Sequence, residues 1–211
     1  FDNLIELIKN NPEYKDYLEE NELDVNEYYL ERYSDSCPIQ RIDELFEDSL
    51  KTPFKVNFIS ASKGVGISAA SARFIKRHRK DKVVFYRFLN VNKEIEDSSD
   101  LIYSLALEVA KIEQIKEPII KDYIENYKLV DDYINRLTTS ENKETIILID
   151  GIDEKNVNIT EWIELLKMLP FKYLIATLDQ KELDNYVGNL TNEELFNVAK
   201  FNIKYHLQNI F

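Results

Sequence analysis

Residues 60–68 connect an alternating apolar strand to a helix through a turn that contains Gly64 and Gly66. A strand, a glycine turn and a helix start in this order present bare backbone N–H groups and the positive end of the helix dipole to an anion. The phosphate-binding pattern GxxxxGK followed by Ser or Thr describes such a loop. The fit predicts that the loop binds nucleotide phosphates through Ser62, Lys63, Gly64, Val65, Gly66, Ile67 and Ser68. The alternative for the same residues is an ordinary strand-to-helix turn.

The loop lacks the positive charge that this pattern places beside the phosphates. In the register of the pattern, Ala61 replaces the first glycine, Ile67 replaces the lysine, and Ser68 supplies the hydroxyl. The lysine forms a charge-assisted hydrogen bond with phosphate, and such bonds are among the strong ones. The loss therefore predicts negligible ATP turnover and at most weak binding of nucleotide. The alternative is that Lys63 swings in and supplies the charge.

A second group of polar residues follows the apolar strand at residues 145–149. Asp150, Asp153 and Glu154 come directly after this strand. Ligands of open α/β folds bind at the carboxyl ends of the strands, which is where these side chains must lie. We therefore predict that Asp150 and Ser68 hold Mg²⁺, and that Asp153 or Glu154 orients an attacking water in an active enzyme. The alternative is a polar loop without chemistry after a buried strand.

Strands and helices alternate along most of the chain. Segments 54–59, 82–89, 145–149 and 171–177 have strand patterns, and helical patterns lie between them. The third strand is continuously apolar, which is typical of a parallel strand covered on both faces. The alternation predicts a three-layer α/β fold with a parallel sheet. A last helix is predicted from Thr191, with an apolar face formed by Phe196, Ala199, Ile203 and Leu207.

Composition and charge restrict the class of protein. Hydrophobic residues make up 44% of the 211 residues, which is enough for a buried core and excludes wholesale disorder. Lys and Arg number 27 against 39 Asp and Glu, giving a net charge of −12, from which we predict no nucleic-acid partner. No apolar run approaches the roughly 20 residues of a membrane span, so no membrane partner is predicted either. A single cysteine, Cys37, favours a cytoplasmic location. The start at Phe1 suggests a piece of a longer protein.

Four segments carry a family likeness. Residues 147–154 read ILIDGIDE and, with Ile146 before them, fit the Walker B signature hhhhDGxDE, which is the most specific match. Residues 37–45 are similar to the segment before the first strand of that family, residues 174–177 to its sensor strand, and residues 190–205 to the opening of its helical lid. On these residues the chain resembles a STAND-type P-loop NTPase of the NACHT group. The resemblance implies the sheet order 5-1-4-3-2 and three parts, which are a helical segment 1–36, an α/β domain 37–188 and the start of a lid 189–211.

The resemblance also implies a function. This sequence departs from the family pattern at several positions, which weakens the expectation of enzymatic activity. Gln40 replaces a glycine that is usual in the family, and Leu178 and Asp179 stand where an arginine is frequent. The implied function is a degenerate NACHT-like module of a larger signalling or defence protein, without ATP hydrolysis, that acts as a conformational or oligomerisation scaffold. ATP or ADP with Mg²⁺ would bind weakly or not at all, and the partners would be proteins or further copies of the parent. The alternatives are a scaffold that kept only the fold, and an active ATPase whose missing charge comes from Lys63 or a partner's arginine.

Overall fold

The computed structural model describes residues 25–53, 55–62, 64–92, 94–154, 159–179, 181 and 197–200. Helices and strands alternate through these residues, as the sequence predicts. The helices are α1 (Val25–Ser34), α2 (Gln40–Ser49), α3 (Ile67–His78), α4 (Ser98–Ile112), α5 (Tyr123–Thr139) and α6 (Ile159–Met168). The strands are β1 (Val56–Ala61), β2 (Val83–Phe88), β3 (Thr145–Asp150), β4 (Tyr173–Asp179) and β5 (Asn197–Lys200). A short 3₁₀ turn, Ile152–Glu154, follows β3.

The described strands form one parallel sheet in the order β2-β3-β4-β1-β5. Counted from the β5 edge, this is the predicted order 5-1-4-3-2. Because the strands are parallel, β1, β3 and β4 all end at the same edge of the sheet. The connection from β1 to β2 passes over β4 and β3, so the strand order switches beside β1. A crevice at such a switch of strand order is where open α/β sheets bind ligands.

The fifth strand differs from the sequence prediction. A helix was expected from Thr191 onward, but Asn197–Lys200 form β5 and pair with β1 in the register Asn57↔Asn197. The helix prediction is therefore wrong over these four residues. The physical reason is that every residue of β1 is buried, and its outer backbone groups need hydrogen-bond partners that water cannot supply. Thr191, Phe196, Ile203 and Leu207 lie outside the described residues, and the assignment of 189–211 to a lid stays a prediction.

Alternate residues of the buried strands pack on opposite faces of the sheet. Ile147 and Ile149 of β3 belong to a core cluster with residues of α4, α5 and α6. Ile146 and Leu148 belong to a second cluster with residues of α1, α2 and α3. Both faces of the sheet are therefore covered by helices, which confirms the three-layer α/β prediction and explains why β3 is apolar from Ile146 to Ile149.

At the amino end of the sheet, Glu144 connects the starts of the two strands that flank β3. Its carboxylate accepts a hydrogen bond from Lys82 Nζ at 2.6 Å and also pairs with Lys172. The hydrogen bonds from Lys172 and Lys82 lower the pKa of Glu144 to about 2. Lys82 precedes β2 and Lys172 precedes β4, so the carboxylate holds both strands against the start of β3.

We expect Glu144→Gln to destabilise the chain at neutral pH. A carboxylate whose pKa is lower in the folded than in the unfolded state stabilises the fold above its unfolded pKa. The stability difference between wild type and Glu144→Gln should therefore shrink as pH falls from about 4.5 towards about 2. Because solvent screens the half-exposed pairs, the effect at pH 7 is on the order of 1 kcal/mol. Urea unfolding at pH 7 and pH 3 measures it.

Glu164→Gln is the control for this pH series, since Glu164 is exposed and its ion pair among the described residues is with Lys167, one turn away. We expect a negligible change in stability at both pH values for this variant. If Glu144→Gln lowers the free energy of unfolding by the same amount at pH 7 and pH 3, the ionised Glu144 carboxylate does not stabilise the fold as proposed.

Candidate functional site

The loop between β1 and α3 has the backbone that the sequence predicts. Gly64 and Gly66 have φ angles of 83° and 90°, which lie in the left-handed region where glycine alone is unstrained. Gly66 is the N-cap of α3 and its carbonyl accepts from the Ala70 amide at 3.0 Å. Since glycine has no side chain, no side-chain cap covers the first amides of the helix. The strand, glycine turn and helix start are thus arranged as a phosphate-binding loop requires.

The loop borders a cleft at the carboxyl ends of the strands, which we call the carboxyl-end cleft. Its volume is about 160 Å³. The described residues that line it are Gly64, Ile67, Ser68, Asn90, Asp150, Gly151, Asp153, Thr177, Leu178 and Asp179. The structure therefore brings together five of the predicted site residues, from two segments more than 80 positions apart in sequence, namely Gly64, Ile67, Ser68, Asp150 and Asp153.

The remaining predicted site residues are not among the described residues that line the cleft. Ser62, Val65 and Gly66 belong to the loop but are not among the lining residues of the carboxyl-end cleft. Lys63 and the side chain of Glu154 lie outside what the structure describes. The roles predicted for Lys63 and Glu154 therefore stay predictions.

Asp150 is the most constrained of the site residues. It is 1% exposed, and its Oδ1 accepts hydrogen bonds from the hydroxyls of Ser71 at 2.8 Å and Thr177 at 2.7 Å. Thr177 Oγ1 in turn accepts from the Gly151 amide at 2.9 Å. One carboxylate oxygen thus connects β3 with α3 and with β4. Hydrogen bonds to a buried charge are strong, so this contact fixes the three elements that enclose the cleft.

Sequence reasoning missed Ser71 and assigned no role to Thr177. Ser71 lies one helical turn after Ser68, on the buried side of α3. This spacing puts both hydroxyls near the same end of the sheet, and it was the sequence feature that could have identified Ser71. Thr177 stands at the end of the predicted sensor strand, so the sequence predicted where it lies in the sheet but not its hydrogen bond to Asp150. Ser68 and Asp150 both line the carboxyl-end cleft, and their joint role as magnesium ligands stays a prediction.

The charge of the carboxyl-end cleft is negative among the described residues. Asp150, Asp153 and Asp179 line it, and no described lysine or arginine does. Ile67, which takes the place of the phosphate-binding lysine, is half-buried and packs against the apolar cluster beside α3. A phosphate in the cleft would therefore meet backbone amides but no described cation.

The donor set of the cleft is hard oxygen, from carboxylates and the Ser68 hydroxyl, and such oxygens are the ligands that Mg²⁺ prefers. In the described part of the chain, however, no group of three or more His, Cys, Asp or Glu side chains is placed to hold a metal ion. The described residues therefore do not form a complete metal site, and a Mg²⁺ ion at Ser68 and Asp150 would need phosphate oxygens and waters as its other ligands.

Comparisons with known proteins find the fold but no family. No protein-family model matches the sequence, and no curated protein matches it. Among solved structures, the chain is similar to a chain of the Drosophila ORC structure bound to poly(dA/dT) DNA and Cdc6. The TM-score is 0.52 and the identity 8%, over 96% of this chain and 35% of that one. A DNA replication initiation factor matches with a TM-score of 0.35 and 15% identity, over 79% of this chain and 47% of that one, which is too low to establish a shared fold.

Two expectations about partners can now be assessed. The prediction that excluded nucleic acid from the net charge is wrong, because the ORC structure with the similar chain is bound to DNA. The physical error was to let a net charge of −12 over the whole chain stand for the charge of each surface. No helix in the described residues is long and apolar enough to cross a membrane.

With its sheet order, its glycine loop and Asp150 at the end of β3, the described chain has the α/β fold of the P-loop NTPases.

Proposed function

We propose that the chain is a nucleotide-binding module of STAND type, closest to the NACHT group, whose phosphate loop is degenerate. It belongs to a larger signalling or defence protein and acts there by conformational coupling and self-association. It binds ATP or ADP weakly and does not hydrolyse ATP at a useful rate. The observation that carries this proposal is the composition of the carboxyl-end cleft, where a glycine loop is retained but Ile67 and three carboxylates surround the phosphate position.

The electrostatics of phosphoryl transfer explain why this composition opposes hydrolysis. Catalysis of this reaction is almost entirely positioning and stabilisation of charge on the transferred phosphoryl group. Ile67 has no charge and no hydrogen-bond donor, and its β-branched side chain is restricted at χ1, so it cannot readily move aside. Asp179, at the end of β4, adds negative charge where a cation would help. The described side chains thus raise the cost of placing a triphosphate in the cleft.

The residues of the chain retain partial functions towards a nucleotide. The amides at the start of α3 can bind phosphate oxygens, as amides at helix N-termini do. Ser68 and Asp150 are the residues that would hold Mg²⁺, which when bound neutralises phosphate charge. Asp153 lines the cleft and could accept a proton from a water beside it. Asp150 at the same time joins α3, β3 and β4, so a ligand that contacts Asp150 or Ser68 bears directly on the packing of these elements.

The competing function is an active ATPase in which Lys63, or an arginine of a partner, replaces the missing charge. Lys63 belongs to the same loop, between Ser62 and Gly64, which favours it over more distant lysines. Lys63→Ala tests the active ATPase that depends on Lys63, because the substitution abolishes binding and turnover in that enzyme and changes neither in a degenerate module.

We expect no phosphate release above background when the wild-type chain is incubated with millimolar ATP and Mg²⁺. The removal of a charge-assisted contact to phosphate costs about 1.5–3 kcal/mol, and the effect on a transition state with more charge is larger. A coupled phosphate assay on wild type and Lys63→Ala measures this. If the wild type releases phosphate from ATP and Lys63→Ala does not, the proposal of a degenerate module is wrong and the chain is an active ATPase.

A further inference from the structure

A second cavity lies beside β2, the strand at one edge of the described sheet, and residues of β2, of α4 and of the loop between them form most of its lining. We call it the β2-edge cavity. Its volume is about 410 Å³, within the range of about 300–1,000 Å³ that is usual for small-molecule sites. No described residue lines both this cavity and the carboxyl-end cleft, so the two sites are separate.

One face of α4 forms a wall of the β2-edge cavity. The α4 residues in this wall follow the spacing i, i+3, i+4, i+7, i+8, i+11 of a single helix face, and they are Asp100, Tyr103, Ser104, Leu107, Glu108 and Lys111. Leu107 is 44% exposed, so an apolar group placed in the cavity would remove part of this side chain from water. Buried Ile95 lines the cavity from the loop that follows β2. The cavity therefore offers apolar surface to a ligand.

Arg87 of β2 supplies a buried positive charge to the β2-edge cavity, since it lines the cavity and is only 5% exposed. Nε donates to Ser104 Oγ at 3.0 Å, Nη1 to Tyr86 O at 2.7 Å and to Glu108 Oε2 at 2.8 Å, and Nη2 to Ser104 O at 3.0 Å. A guanidinium has five N–H donors, so the second N–H of Nη2 has no acceptor among the described residues. A carboxylate in the cavity would accept from it in a charge-assisted hydrogen bond.

Two carboxylates bring negative charge to the same cavity. Asp100 is 8% exposed, and its carboxylate accepts from the Glu96 amide at 3.0 Å and pairs with Lys121. A carboxylate has about four acceptor positions, so Asp100 keeps capacity for a further donor. Glu94 also lines the cavity and has no hydrogen bond or ion pair with a described residue. The cavity therefore offers carboxylate oxygens to a cationic group of a ligand.

The charges that line the β2-edge cavity balance. Three are basic and three are acidic, namely Arg87, Lys111 and Lys121 against Glu94, Asp100 and Glu108. A ligand with charge of only one sign would meet like charges as well as opposite ones. A zwitterion, in contrast, can place each of its charges beside an opposite one. The lining therefore favours a small zwitterion that also has an apolar part.

We propose that the β2-edge cavity binds a free α-amino acid with an apolar side chain. The carboxylate of the ligand accepts from the Arg87 guanidinium, and its ammonium donates to Asp100 and Glu94. The side chain of the ligand packs on Leu107. Asp100 lies four residues before Ser104, to which Arg87 is bonded, or about 6 Å along α4, a separation that the two charged groups of one α-amino acid can bridge. This site goes beyond the proposed function and needs no nucleotide.

NMR titration of the chain with leucine, isoleucine, valine, methionine and phenylalanine, each without nucleotide, tests the proposal. At least one of them should shift the amide signals of Ile95, Ser104 and Leu107 saturably, with a Kd of about 1 mM or tighter. The amides of Gly64 and Ser68, at the carboxyl-end cleft, should not shift. If none of the five amino acids binds up to about 10 mM, or if the shifts centre on Gly64 and Ser68, the proposal is wrong.

Analogues of the amino acid that binds most tightly test the need for both charges. For leucine these are isocaproate, which lacks the ammonium, and isoamylamine, which lacks the carboxylate. Each analogue loses charge-assisted hydrogen bonds, so each should bind at least about tenfold more weakly than the amino acid. An analogue that binds as tightly as the amino acid would overturn the assignment of a zwitterion site.

Matched variants test whether the ligand lies against α4. Leu107→Gln makes the apolar wall polar and should weaken binding about tenfold. Ile112→Gln replaces an α4 side chain of similar exposure, 48%, outside the described lining and should leave the affinity unchanged. Glu94→Gln, at an exposed position, should weaken binding severalfold, whereas Glu164→Gln on α6 should not. Equal affinities in Leu107→Gln and Ile112→Gln, or in Glu94→Gln and Glu164→Gln, would contradict the proposed site.

Discussion

Asp150→Ala is expected to lower the free energy of unfolding by about 3 kcal/mol or more, because it removes the acceptor of two buried hydrogen bonds to a charged group. The hydroxyls of Ser71 and Thr177, both buried, would then be left without this partner between α3 and β4. The sequence predicted Asp150 as a magnesium ligand, and the structure adds a contribution to the fold that needs no metal. Trp162, the single tryptophan, is fully buried and provides the fluorescence signal for urea unfolding.

Three variants test whether this loss comes from the hydrogen-bond network. Asp150→Asn retains an acceptor oxygen and should cost less than Asp150→Ala. Ser71→Ala and Thr177→Val each remove one donor to Asp150, and each should cost about 1.5–3 kcal/mol. The effects should not add in the double variants that include Asp150→Ala, since the partner is then already lost. A change below 1 kcal/mol for Asp150→Ala would contradict the role of Asp150 in joining the three elements.

Ile67→Lys is expected to raise the affinity for ATP and Mg²⁺ by an order of magnitude or more. The side chain at position 67 belongs to the first turn of α3 and lines the carboxyl-end cleft, so a lysine there can reach a bound phosphate. One charge-assisted hydrogen bond is worth about 1.5–3 kcal/mol, which corresponds to roughly 10- to 150-fold in affinity. The shift of the thermal unfolding midpoint by millimolar ATP and Mg²⁺ measures the change, because ligand at 100 times its Kd adds about 2.7 kcal/mol of stability.

Ile67→Met is the matched control for the lysine variant. It removes the β-branch and keeps an uncharged side chain of similar size, so it should leave the nucleotide response unchanged. Ile67 packs partly against the apolar cluster beside α3, and both variants should therefore lose a comparable, small amount of stability without ligand. A response of Ile67→Met equal to that of Ile67→Lys would show that the shape of the isoleucine, and not the missing charge, limits binding.

The sequence was informative where a residue is constrained by one strong local requirement. β3 is buried on both faces and therefore has the apolar run that identified it, and Asp150 was identified because it ends that run. Gly64 and Gly66 were identified because a glycine turn between a strand and a helix is the pattern of a phosphate-binding loop, and their left-handed backbone explains why glycine stands there. The sheet order followed from the family resemblance, whereas the alternation of strands and helices predicted only that the sheet is parallel.

The sequence did not predict the features that depend on contacts between residues far apart in the chain. Asn197–Lys200 follow a helical apolar spacing but pair with β1, because tertiary hydrogen bonding outweighs local propensity. Ser71 is one of several serines in the loop and helix, and only the position of β3 singles it out as a partner of Asp150. The sequence did not identify the partners of the basic residues in α3 and directly after it, where Arg73, Lys76, Arg77 and Arg79 pair with acidic residues of α1, α2 and the turn between them.

Calorimetric titration of the wild-type chain with ATP and Mg²⁺ tests most directly whether the carboxyl-end cleft has lost its phosphate-binding charge. We predict no saturable heat up to millimolar nucleotide, or a Kd no tighter than the millimolar range, which corresponds to about −4 kcal/mol. Ile67→Lys in the same instrument is the positive control and should bind at least tenfold more tightly. A wild-type Kd in the low micromolar range or below would contradict the account, because the cleft would then hold the triphosphate without the charge that Ile67 lacks.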